Sequence, residues 1–87
     1  MLDKHVILGI HITDRLVHVS SVQTVLTEFG GNIKTRLGLH ELDTDYSSPN
    51  GLLLLEFVGE DSQCDAIMDR LSKVEGVEVK KMVFDHP

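Results

Sequence analysis

The chain has 87 residues, 41% of them hydrophobic and 25% charged, with a formal net charge of -6, which suits one folded core and leaves no room for a second. Fourteen acidic residues against eight basic ones exclude a phosphate-backbone footprint, because that requires clustered Lys and Arg. A single Cys rules out an internal disulfide, and no apolar run reaches the roughly 20 residues that a membrane helix needs. The expectation is one domain over residues 1–87, cytoplasmic, with no direct nucleic-acid contact and no membrane contact.

From His5 to Ile12 the chain alternates strictly. Val6, Leu8, Ile10 and Ile12 share one face of a strand, and His5, Ile7, Gly9 and His11 the other. Thr13 and Asp14 offer N-cap oxygens, and Leu16, Val19, Val22, Val25, Leu26 and Phe29 then form a helical stripe. Gly30-Gly31 is the expected stop, in the left-handed conformation that closes helices. Asn32 to Leu42 reads as an edge strand with Ile33, Leu37 and Leu39 on one face. Its other face, Lys34, Arg36, Gly38 and His40, is too polar for an interior.

A polar loop from Asp43 to Asn50 carries turn residues and leads into Leu52 to Val58, a run apolar at nearly every position. Such a run reads as a central strand covered on both faces. Glu60-Asp61-Ser62 caps a second helix striped by Cys64, Ile67, Met68, Leu71 and Val74, which stops at Gly76. Val77 to Phe84 alternates as a last strand. The order predicts an α+β, ferredoxin-like βαββαβ sandwich, with two helices on one face of a four-stranded antiparallel sheet and the first and third strands central. Ile7 and alternate leucines then project from the helix-free face, so the expected partner is a second copy, in a dimer or tetramer.

The stretch Thr13 to Ile33 resembles the first loop, helix and second-strand start of ACT domains, which are amino-acid-sensing regulatory modules. Asp14-Arg15 and Gly30-Gly31-Asn32-Ile33 fit that pattern, while Leu16 and Val17 stand where the family has Pro and Gly. Arg36-Leu37-Gly38, Leu71 and the run Gly76-Val77-Glu78-Val79-Lys80 extend the likeness to a small stand-alone ACT-like family described as regulators of the iron-only hydrogenase system. That family is structurally close to the metal-sensing C-terminal domain of the nickel-responsive repressor, in which a His-x-His pair and a downstream Cys bind metal. Here Gly38-Leu39-His40 keeps only the second histidine. The resemblance implies a regulatory domain without a DNA-binding segment, acting on transcription through a separate protein.

The residues themselves nominate two sites. At the helix start, Asp14, Arg15, Leu16 and Val17 present free amides and the positive end of the dipole to a carboxylate or phosphate, unless Thr13 or Asp14 simply caps them. Arg36 and Gly38 on the edge strand extend this ligand site, and Arg36 and Lys34 can pair with an anionic ligand or with acidic groups of a partner. For a metal, His11, His18 and His40 fall near one end of the sheet. His11 and His40 are separated by the third strand, so joint ligation requires the loop or a second subunit. His5 and His11 lie roughly 20 Å apart along one strand and cannot share an ion.

Cys64 sits on an apolar stripe and reads as core. Asp43 and Asp45 begin like a calcium loop, but Ser48 and Leu54 occupy the positions that need Gly and Glu. No phosphate loop, zinc-protease motif or convergent acid–base pair is present, which predicts a non-enzymatic protein without a cofactor. Three readings follow: an oligomeric ACT-like regulator sensing a small ligand or protein partner, a nickel-sensing domain, and a small ferredoxin-like enzyme.

Overall fold

The computed structural model describes residues 4–13, 15–40 and 51–85, and for residues 15–17, 39 and 40 the backbone alone. Its elements are β1 (Lys4–Ile12), α1 (Arg15–Glu28), a 3-10 turn (Gly30–Asn32), β2 (Ile33–His40), β3 (Gly51–Phe57), α2 (Asp61–Ser72) and β4 (Val77–Asp85). The strands form one antiparallel sheet in the order β2-β3-β1-β4. This is the ferredoxin-like sandwich, with β1 and β3 central as their apolar content predicts.

Alternation in β1 sends Val6, Leu8, Ile10 and Ile12 into the core, where they meet Leu53, Leu55 and Phe57 of β3. Val22, Val25 and Leu26 of α1 and Cys64, Ile67 and Leu71 of α2 close this core from the helix side. Val19 falls on the predicted stripe of α1 yet is exposed. Phe29 and Met68, partly buried, widen the two helical stripes that pack on the sheet. Burial raises the Cys64 thiol above its ordinary range, so the sulfur behaves as a small apolar group.

At the start of α2 a capping box forms. The Glu60 side chain accepts from the Gln63 backbone, while Gln63 Oε1 accepts from the Glu60 amide at 2.9 Å. Asn32 joins the same knot, its Nδ2 donating to Val58 O at 2.9 Å and to Gln63 Oε1 at 3.3 Å, and its carbonyl accepting from Val58 N at 2.7 Å. Three elements are therefore tied at one end of the sheet. At the other end, α2 stops at Ser72, short of the expected Gly76; Thr13 N donates to Gly76 O at 2.7 Å, and Gly76, at φ +80°, makes the left-handed turn into β4.

Three further expectations are corrected. Gly30 and Gly31 do not close α1 in the left-handed region; they continue into the 3-10 turn, and an added Cβ at either would meet nothing within 4 Å. Gly31→Ala is therefore expected to be neutral or to raise stability by about 0.4–1 kcal/mol through the unfolded chain, read as an unchanged or higher urea midpoint. Second, β3 runs from Gly51 to Phe57, so Val58 lies past its end and is exposed.

Third, Ile33 and Leu37 do not share a face. A bulge lies between Ile33, which pairs with Phe57, and Thr35, which pairs with Glu56. One extra residue reverses the side on which every later side chain emerges. Ile33 consequently packs on the core, whereas Leu37 stands opposite Leu54 on the helix-free face. The predicted loop from Asp43 to Asn50 lies outside the described residues.

Candidate functional site

Two surfaces follow from this arrangement. The first is a ledge at the outer edge of β2. Arg36 and Gly38 pair with the core residues Leu55 and Leu53, so both emerge on the helix side, yet both are exposed. The helix layer therefore stops short of the far half of β2. The same end of the sheet carries the end of β1, from which the chain passes to Arg15 and the first turn of α1. By register Gly38 lies level with Ile10, near that end, whereas Arg36 lies level with Leu8 at mid-strand, with β2 and β1 about 10 Å apart across β3. Asp14 and the side chains of Arg15, Leu16 and Val17 lie outside the described residues.

Gly38 adds to the ledge by what it lacks. A Cβ there would make only an ordinary contact with Leu53 Cδ1 at 3.8 Å, so the subunit's packing does not require glycine. A strand glycine of this kind often marks a close approach by a ligand or another backbone.

The second surface is the helix-free face of the sheet. Register aligns Leu37, Leu54, Gly9 and Lys80 in one row, Leu52, His11 and Glu78 in the next, and Thr35, Glu56, Ile7 and Met82 on the other side. Leu37 is 52% exposed, Leu52 40%, Met82 55% and Phe84 53%. His5 Nδ1 lies 3.0 Å from Glu56 Oε2, and Thr35 Oγ1 donates to Glu56 Oε1 at 3.4 Å. The His5 hydrogen bond, above all, holds the Glu56 carboxyl below its ordinary range, with burial opposing. A hollow of about 130 Å³ opens beside Gly9, lined by His11, Leu52, Glu78 and Lys80.

The histidines do not converge. His11 lies on the helix-free face with Gly9, whereas His18 belongs to α1 and packs beside Gly76 on the helix side. The His40 side chain lies outside the described residues. Among the described residues no three His, Cys, Asp or Glu groups are placed to hold a metal ion. Two further ion pairs act as clasps between elements. Arg70 grips Glu28 with both guanidinium arms, at 2.8 Å on one, and joins α2 to α1. Lys4 holds Asp61 at 2.7 Å and joins β1 to α2. The hydrogen bonds from Arg70 and Lys4 keep both carboxyls below their ordinary range.

Gly9 and Gly59 carry no local signal of a role. Gly9 lies between Leu8 and Ile10 and Gly59 between Val58 and Glu60, and what each glycine meets is set by residues distant in the chain.

The fold and these two surfaces define a small ferredoxin-like protein of βαββαβ order. The fold matches the uncharacterized protein TM1266 from Thermotoga maritima, with a TM-score of 0.81 and 23% identity over 95% of this chain and 100% of that one. It is also similar to CPII, a nitrogen regulatory PII-like protein from Thiomonas intermedia bound to ADP, AMP and bicarbonate (TM-score 0.61, 13% identity, 100% of this chain and 99% of that one). A formyltetrahydrofolate deformylase from Pseudomonas putida matches with a TM-score of 0.57 and 17% identity over 90% of this chain but only 28% of its own. No family model and no curated protein matches the chain. No helix among the described residues is long and apolar enough to cross a membrane.

Proposed function

We propose that this chain is a non-catalytic regulatory domain that assembles through its sheets and binds a small anionic ligand, or an acidic group of a partner, on the ledge formed by Arg36, Gly38 and the start of α1. The observation that carries the proposal is the helix-free face, where Leu37, Leu52, Met82 and Phe84 stand exposed together on one sheet. Patches of that kind on small proteins belong to association surfaces. The likeness in fold to a PII-like regulatory protein supports the regulatory class. Regulation follows only when the ligand prefers one assembly over another, since equal affinity shifts no equilibrium.

Native mass spectrometry of the protein from its own cell tests both parts. The expected result is a dimer or tetramer with a retained small molecule; a bare monomer would overturn the proposal. Gly38→Val is expected to leave thermal unfolding unchanged and to remove the retained mass. Retention by the variant would move the site off the ledge. Cytoplasmic action within an iron-only hydrogenase system is the finer form of this proposal, supported by the resemblance of Thr13 to Ile33 and Gly76 to Lys80 to ACT-like regulators. Recovery of hydrogenase-system proteins in a pull-down from that cell is the expected result.

A further inference from the structure

Gly9 sits in the middle of the central strand β1, where a glycine weakens a strand and supplies no side chain to pack. Nothing within the subunit requires it. Its backbone is not left-handed, and an added Cβ would make only an ordinary contact with Leu54 Cδ2 at 3.8 Å. The missing side chain instead leaves the hollow of about 130 Å³ between Leu52, His11, Glu78 and Lys80.

The neighbouring half of the same face carries large apolar side chains in place of a glycine. Ile7 pairs with Met82, and His5 with Phe84, so Ile7, Met82 and Phe84 form an apolar mound immediately beside the hollow. Met82 and Phe84 are each more than half exposed. A mound next to a hollow is self-complementary under a two-fold axis that lies between two sheets and crosses the strands between Ile7 and Gly9. That axis lays each strand over its own copy with direction reversed. The hollow of one copy then faces Ile7, Met82 and Phe84 of the other.

We infer that the helix-free face is an interface between two copies of this chain, with the mound of each copy seated in the Gly9 hollow of the other. This rests on the assembly through sheets proposed above and names its geometry. Strands about 4.8 Å apart and outward residues about 6.8 Å apart along each, four on β1 and β4 and three on β2 and β3, give roughly 450 Å² per copy. The pair buries about 900 Å², in the range of weak, reversible association. The carboxylate of Glu56 keeps its His5 and Thr35 partners when covered, so it is not left unsatisfied.

Sedimentation velocity on the full chain tests the inference with two variants. Gly9→Val fills the hollow, and its far-UV spectrum is expected to match the wild type while the dimer dissociation constant rises about tenfold or more. The double variant Ile7→Gly with Gly9→Ile exchanges mound and hollow across the same axis and is expected to regain pairing. A wild-type chain that stays monomeric up to roughly 100 micromolar would overturn the sheet-assembly reading itself. A wild-type dimer untouched by Gly9→Val, or a folded double variant that does not regain pairing, would overturn the seating of the mound alone.

Discussion

Leu8→Ala is expected to destabilise the subunit by about 3–5 kcal/mol. Leu8 is fully buried at the centre of β1, flanked by Leu55 of β3 and by β4, and it belongs to one cluster with Ile67 and Leu71 of α2. Its neighbours come from separate elements whose positions are set by the sheet register and by the clasps Arg70–Glu28 and Lys4–Asp61. They cannot all move inward together, so the truncation leaves a cavity as well as losing transfer energy. A domain of this length has about 4–13 kcal/mol of stability in all, and the substitution removes a large share of it. Urea unfolding followed by circular dichroism provides the measurement. A loss under about 1 kcal/mol would mean that the core is far looser than drawn. Leu52→Ala, on the helix-free face, is expected to cost much less in dilute solution.

Gly59→Ala ranks second, at about 2–4 kcal/mol. Gly59 has φ +138°, a region closed to side chains with a Cβ. An added Cβ would also stand 2.5 Å from both Asn32 Nδ2 and Gln63 Oε1. Those two atoms form the knot that joins the 3-10 turn, the end of β3 and the cap of α2. Relief of the clash would pull Gln63 away from the Glu60 amide and open the capping box. Backbone strain and the lost cap therefore add. Thermal unfolding is the simplest readout, and a midpoint equal to the wild type would show that the knot contributes nothing.

The architecture was legible where local pattern and burial coincide. Alternation in β1 named all four of its core residues, and the spacing of Cys64, Ile67 and Leu71 named the buried face of α2. The bulge in β2 was not legible, because Lys34 looks like any polar strand residue and the extra position is set by pairing with β3, some twenty residues later. The knot of Asn32 with Gln63 spans 31 positions, beyond the reach of a local cap signature. Gly30-Gly31 misled for the opposite reason: glycine permits the left-handed turn without requiring it. Of the site, the sequence placed Arg36 and Gly38 on one face. That the face lies beyond the reach of the helices depends on helix placement, which no local pattern encodes.

The bulge between Ile33 and Thr35 also bears on how the molecule avoids fibril growth. Unpaired margins of a sheet are templates for lateral strand accretion, and kinks and lysines spoil them. The β2 margin is distorted near its start and carries Lys34 and Arg36, and the β4 margin carries Lys80 and Lys81 on successive residues. Neither side offers the flat, uncharged ribbon that cross-β stacking needs, so these margins favour closed particles over filaments.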